Sequence, residues 1–266
     1  MKVVLLDAYN LIHRARSGFT SGDYPIVYNF FRGLRPLIEK FNPDKVYFVL
    51  EGYPQFRKEL SDNYKSNRKK QNRSFYEQKA QIISTVKECL PFVTVRHPDL
   101  ECDDVIATLV KVHCNTGDDC TIISSDSDFY QLLNLFSNCQ IYNPIKKSII
   151  ETPDYDYVTW KALRGDATDN IPGIPGCGDK TASRLVSNSD MLVEYLKKGD
   201  RQQIFENNVN LIRLVDFSDN LGVLESHSGT SDWEELYDLF SDMEFKSMIK
   251  EKTWNKYIQT FNQIQE

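Results

Sequence analysis

The chain has 266 residues, 41% hydrophobic and 26% charged, with a formal net charge of −6. That describes an ordinary globular chain, long enough for one large domain or two modest ones. A charge interrupts the opening run Met1–Asp7 too early for a secretory signal. No apolar stretch approaches a membrane span, and six scattered cysteines without a Cys-x-x-Cys pair argue against a zinc site or disulfide framework.

Residues 2–6 are continuously apolar, which predicts a first buried parallel strand with Asp7 at its carboxyl end. Asn10 is close enough to hold the turn. Phe30, Leu34, Leu37, Ile38 and Phe41 recur at helical spacing, predicting a crossover helix over about 26–41 that Asn42-Pro43-Asp44 ends. Val46 to Leu50 predicts a second strand, parallel to the first, with Glu51 just past it.

Residues 57–76 break this pattern. Arg57, Lys58, Lys65, Arg68, Lys69, Lys70 and Arg73 stand against two acids between 57 and 73 and interleave with Phe56, Tyr64, Phe75 and Tyr76. Basic groups contact phosphates and aromatics stack on bases, so the segment reads as a single-strand binding surface. It would be a polar insertion, mobile until nucleic acid binds. The plainer alternative is a solvated basic helix face. The negative net charge does not exclude nucleic acid, because location matters more than the sum.

Ala80, Ile82, Ile83, Val86 and Leu90 restore a core-facing helix, and Phe92 to Val95 predicts a third strand. Glu101-Cys102-Asp103-Asp104 then opens a helix over 101–115, carried by Val105, Ile106, Leu109, Val110 and Val112. Thr121-Ile122-Ile123 predicts a buried strand followed by Ser124-Ser125-Asp126-Ser127-Asp128. Ligands bind at such strand ends in open α/β sheets. Carboxylates within roughly 4–6 Å raise one another's pKa unless a cation neutralises them, and Mg²⁺ takes oxygen ligands. Taken singly, each acid reads equally as a helix or turn cap. Tyr130, Leu132 and Leu133 start a short helix. Gln140 to Tyr142 and Ser148 to Ile150 read as short edge strands.

The character changes after about residue 152. Trp160 to Leu163 is helical, then Asp166 and Asp169 precede Gly173, Gly176 and Gly178. Exposed amides of such a hairpin, with the helix N-terminus that follows, bind phosphate, and Lys180 adds a point charge. A simple helix–helix connection is the alternative. From Arg184 to Glu266 the chain reads as mostly helical, without a site. The expected division is an α/β core over 1–152, with an arch at about 57–80, and a helical region over 153–266, with its hairpin at about 165–187.

Order and spacing carry a resemblance that covers Val3 to Leu185. It rests on Leu6-Asp7, Phe48-Val49-Leu50-Glu51-Gly52, Tyr64-Lys65-Ser66-Asn67-Arg68, Glu101 to Asp104, Ser125 to Leu132, and Gly165 to Ala182. On these motifs the chain resembles the 5′-nucleases of the flap endonuclease superfamily, notably the small bacteriophage members and the 5′-nuclease domain of bacterial DNA polymerase I. With no polymerase domain in the sequence, it looks like a stand-alone nuclease. The resemblance implies a PIN-like α/β core, with a central mostly parallel sheet and helices on both faces. It also implies a helical arch and a C-terminal helical region with a helix-hairpin-helix (H3TH) motif.

By resemblance, Asp7, Glu51, Glu101 and Asp103 would form one metal site and Asp126, Asp128 and Asp169 the other. Asp104 and Asp166 would lie near or bridge them. Lys65 and Arg68 would contact the scissile phosphate, with Tyr64 stacking on a base. The glycine hairpin would grip duplex phosphates, with K⁺ as its monovalent cation. The implied cofactor is Mg²⁺, two ions, with Mn²⁺ as a substitute. The implied substrate is DNA with 5′ ends or flaps, or an RNA–DNA hybrid, cut by a cytoplasmic monomer beside replication proteins. The family usually has Asp where this chain has Glu51, and Ala is common at the position of Cys102. Rival readings are a toxin-type ribonuclease, a non-catalytic DNA-binding protein and a small-molecule phosphatase. The hairpin and the basic arch argue against the first, a duplex-gripping hairpin against the last, and Mg²⁺ removal separates the second.

Overall fold

The computed structural model describes residues 1–265, so Glu266, the last residue of the expected helical region, lies outside the described residues. The first part runs β1 (Lys2–Asp7), α1 (Ala8–Ala15), α2 (Pro25–Phe41), β2 (Lys45–Val49), α3 (Gln55–Leu60), α4 (Arg73–Cys89), β3 (Val93–Arg96), α5 (Cys102–Asn115), β4 (Asp119–Ile123), α6 (Tyr130–Leu133), β5 (Cys139–Asn143) and β6 (Ser148–Ile149). The second runs α7 (Tyr157–Arg164), β7 (Gly165–Asp166), β8 (Ile171–Pro172), α8 (Asp179–Val186), α9 (Ser189–Leu196), α10 (Arg201–Ile212), β9 (Glu225–Ser228), α11 (Trp233–Asp242) and α12 (Glu251–Phe261).

Seven strands form one sheet in the order β6-β5-β4-β1-β2-β3-β9. The pairs β1–β2, β1–β4, β2–β3 and β4–β5 are parallel, while β6 and β9 add antiparallel edges. The chain leaves β1 for β2 on one side and reaches β4 on the other, so the order reverses at β1. A crevice opens at such a switch point, beyond the carboxyl ends of the strands. The apolar runs that predict β1, β2 and β4 are buried on both faces, as parallel strands between helix layers must be.

One face packs Val4, Leu6, Phe48 and Ile123 against α1, α2 and α4; the other packs Leu5, Val49 and Ile122 against α5 and α6. Pro25 at the first turn of α2 and the left-handed Asn42 after its last turn mark its ends. Two smaller cores hold α7–α10 together.

Four features differ from the sequence expectation. α1 begins directly after Asp7, where only a turn is suggested; eight residues carry too few apolar repeats to reveal it. β5 lies between β4 and β6 rather than at an edge. β9 extends the sheet beyond β3, yet its sequence Glu-Ser-His-Ser is wholly exposed and has no apolar alternation to read. Leu236, Phe240, Tyr257 and Phe261 of α11 and α12 join the core on the α2 and α4 face, so residues 225–265 return to the α/β unit instead of extending the helical one. Each fully buried aromatic there contributes about 1.5–3 kcal/mol. Among the described residues no helix is long and apolar enough to cross a membrane.

Candidate active site

Five segments deliver carboxylates to the same edge of the sheet. Asp7 is the last residue of β1 and caps α1, its Oδ1 accepting the Asn10 N–H at 3.0 Å. Its Oδ2 accepts the Ser124 hydroxyl at 2.7 Å, across from the end of β4. Asn10 joins the same two strand ends, donating to Ser125 Oγ at 2.9 Å and accepting its N–H at 3.1 Å. Beyond β4, Ser124 Oγ accepts the Asp126 N–H at 3.0 Å, and Asp126 accepts the Asp128 N–H at 2.9 Å. The serine-rich turn therefore folds by its own side chains and aims two acids into the crevice.

Glu51 follows β2 and accepts the Cys102 N–H at 3.3 Å, at the start of α5. α5 supplies Glu101, Asp103 and Asp104 from its first turn. The segment between α7 and α8 supplies Asp166 and Asp169, which meet Asp128 from the turn after β4, one oxygen of each lying within 4.8 Å of the others.

Burial dominates the electrostatics here. It raises Asp7 to about 6, against the Asn10 and Ser124 hydrogen bonds, and Glu51 to about 7, with Glu101 and Asp7 adding repulsion. Burial followed by repulsion from Asp126 and Asp7 lifts Asp103 well above the carboxylate range. Asp128 rises to about 6 through burial, although Lys161 opposes the rise. Buried carboxylates that resist ionisation, all hard oxygen donors, suit a divalent cation of the Mg²⁺ or Mn²⁺ type. The donor set therefore fits the implied metal.

Basic side chains already stand among these acids. Lys65 contacts Glu101 and lies 3.6 Å from Asp169, while Arg68 donates to Asp169 at 2.7 Å. Lys65 adopts a left-handed backbone (φ 54°), and its N–H donates to the Asp169 carbonyl at 3.0 Å. Asn170 (φ 59°) reaches back to the Asn63 carbonyl at 2.9 Å. Two strained residues thus tie the base of the arch to the Asp166–Asp169 loop.

Two sequence assignments are corrected. Asp104, expected near or bridging the metals, is fully buried with both oxygens engaged by Arg57, at 2.6 and 2.8 Å. Tyr64, expected to stack on a base, is 3% exposed and donates its hydroxyl to Glu101 at 2.9 Å. Arg57 is likewise buried, not part of a contact surface. Lys69, Lys70 and Arg73 are exposed, as a phosphate-contacting surface requires.

The glycines separate by role. A Cβ on Gly173 would meet the Arg164 carbonyl oxygen at 2.0 Å, so this position needs glycine for close backbone packing. Gly176 (φ 78°) and Gly178 are exposed, and Gly178 starts α8 without a side-chain cap. Lys180 stands exposed in the first turn of α8.

Lys161 was not singled out from sequence. It is buried on α7, contacts Asp128 and lies 2.6 Å from Asp166. Its signal was a lysine flanked by the apolar Val158, Ala162 and Leu163 of an amphipathic helix. A cavity of about 900 Å³ lined by Lys111, Leu135, Tyr155 and Asp216 contains none of the clustered carboxylates.

A family model for the 5′-3′ exonuclease N-terminal resolvase-like domain matches residues 2–161, and one for the 5′-3′ exonuclease C-terminal SAM fold matches residues 152–226. The thermostable DNA polymerase I of Thermus filiformis is 33% identical over 213 residues, 75% of this chain and 25% of the polymerase. The chain thus spans about a quarter of the length of the curated relatives it matches. The T5 D15 protein crystallised with metal ions superposes with a TM-score of 0.63 at 19% identity, covering 100% of both chains. The catalytic core of Rad2 in complex with DNA substrate gives 0.59 at 14% identity, covering 100% of this chain and 92% of the other. At these identities the likeness is one of fold. On its two successive sequence matches, the chain belongs to the 5′-3′ exonuclease family.

Proposed function

We propose that the chain is a structure-specific, divalent-metal-dependent 5′-nuclease. It hydrolyses DNA phosphodiesters near 5′ ends, flaps or RNA primers, in the cytoplasm and beside replication proteins. The observation that carries this reading is the convergence of carboxylates from β1, β2, α5, the loop after β4 and the loop after α7 on one crevice, with Lys65 and Arg68 leaning in from the arch. The relatives are DNA polymerases, and a neighbour of the same fold is a flap endonuclease crystallised with DNA and metal ions.

Asp7, Glu51, Glu101 and Asp103 would hold one ion, and Asp126, Asp128, Asp166 and Asp169 the other. When bound, two such ions supply an activated water and stabilise the leaving oxygen of an in-line displacement. Mg²⁺ is the proposed ion, and Mn²⁺ its substitute. Lys65 and Arg68 are proposed to leave Glu101 and Asp169 for the scissile phosphate, where they offset charge developing on its oxygens. Because both bases pair with acids, they offset part of the clustered negative charge until phosphate and metal enter. Lys69, Lys70 and Arg73 would hold the single strand. Gly176, Gly178 and Lys180 would hold duplex phosphate beside K⁺, with Gly173 keeping the hairpin closed. The 5′-terminal pair must unstack to reach the acids, which costs a few kcal/mol and least at frayed ends.

The test is hydrolysis of a 5′-labelled linear duplex by the purified chain in Mg²⁺, in Mn²⁺ and in chelator. Release of short 5′-labelled fragments only with metal supports the proposal. Metal-independent release, or none, counts against it.

A further inference from the structure

Arg57 belongs to the segment whose composition suggests nucleic-acid contact, yet all its N–H groups are used inside the protein. Nε donates to the Leu211 carbonyl at 2.8 Å, and Nη2 to the Arg213 carbonyl at 3.2 Å, at the end of α10. Nη1 donates to Glu101 Oε2 at 2.9 Å and to Asp104 Oδ2 at 2.6 Å; Nη2 also reaches Asp104 Oδ1 at 2.8 Å. A guanidinium has five such donors, and these bonds occupy all of them.

Asp104 is equally saturated. Beyond the arginine it accepts the Glu101 N–H at 3.2 Å and the Val215 N–H at 2.8 Å. No lone pair of Asp104 points at the crevice without a donor of its own. Glu101 is held differently on its two sides. Oε2 accepts from Arg57 and from the Tyr64 hydroxyl, whereas Oε1 faces Lys65.

We propose that Arg57 is a positioning residue for the nuclease reaction, with Asp104 as its counter-ion rather than a metal ligand. Arg57 pins Oε2 of Glu101 and thereby turns Oε1 toward the divalent cation. The inference rests on the nuclease reading above. Because the same guanidinium holds the end of α10, the seat of the helical unit and the orientation of Glu101 are fixed by one side chain. Lysine keeps the charge but not the planar fork, so it cannot hold all these partners.

The test is Mn²⁺ titration calorimetry on the substrate-free chain, for the wild type, Arg57→Lys, Glu101→Gln and the double variant, with melting curves in parallel. Loss of a ligand's orienting partner weakens metal binding by about 10–100-fold. The expected result is that loss for Arg57→Lys, and no further loss when Arg57→Lys is added to Glu101→Gln. If Arg57→Lys does not fold, Asp104→Asn replaces it in the same cycle with the same expectation, since it cuts the fork and leaves the arginine. Unchanged Mn²⁺ affinity in the folded variant would overturn the proposal. So would a loss that persists undiminished beside Glu101→Gln, which would make Asp104 or Arg57 act independently of Glu101. Failure of the wild type to cut DNA would instead strike the nuclease reading and leave the Mn²⁺ cycle interpretable.

Discussion

The Lys161 ammonium lies 2.6 Å from Asp166 and also touches Asp128, so two acids of the proposed metal site share one buried lysine. Asp128 holds Lys161 protonated despite its burial, and Lys161 holds Asp166 below the ordinary carboxylate range despite its own. Removing one partner of a buried pair costs about 3–5 kcal/mol. Lys161→Met is therefore expected to destabilise the chelator-treated protein by that order. Mg²⁺, which replaces the lost charge, should recover part of it. Melting curves with and without Mg²⁺ check this; a variant that Mg²⁺ does not rescue would separate Lys161 from the metal site.

Tyr64→Phe distinguishes a buried anchor from a stacking ring. The hydroxyl donates to Glu101 inside the protein, so its loss should cost about 1–2 kcal/mol of stability. It should also lower turnover without changing duplex affinity. A ring that stacked on a base would tolerate phenylalanine with stability and turnover both intact. Denaturant melts and cleavage rates decide between them.

Asp128→Asn keeps the shape of the site but removes a charge shared with Lys161, Asp166 and Asp169. Cleavage should fall to background while duplex binding is retained, because the glycine turn before α8, the proposed duplex contact, is separate from the acids. Turnover at the wild-type rate would defeat the metal assignment.

The metal-free protein should lose stability as pH rises. Asp7 titrates near 6 and Glu51 near 7, both raised chiefly by burial from their ordinary 3.8 and 4.5. Between those limits the folded chain binds more protons than the unfolded one, so the derivative of unfolding free energy with pH is negative. The contribution is complete below about pH 4 and gone above about pH 7. Melting temperature in chelator should drop between pH 5 and pH 8, and the drop should shrink in Mg²⁺ and in Asp7→Asn. An identical slope in all three would remove these carboxylates as its cause.

The strand ends were legible because β1 and β2 carry continuous apolar runs and β4 a short β-branched one, each followed by an acid within a few residues. One such acid is as readily a cap, but its recurrence after three strands marked the edge bearing Asp7, Glu51, Asp126 and Asp128. β9 could not be read, since its four residues are exposed and polar and show no apolar alternation. Composition also cannot separate a buried base from a solvated one. Arg57 and Arg73 look alike in sequence, yet one is enclosed by carbonyls and carboxylates while the other is exposed and pairs with Glu77. The same ambiguity hid Lys161 and misassigned Tyr64, whose partners lie 37 and 105 residues away in the chain.

The most direct measurement is cleavage of an end-labelled 5′-flap duplex by the purified chain, in Mg²⁺ and in chelator, with products sized on a sequencing gel. The account predicts Mg²⁺-dependent cuts near the flap junction that leave 5′-phosphorylated products. Tight binding of the flap duplex in Mg²⁺ without any cut would contradict it, and Glu51→Asp would then be the next variant to assay.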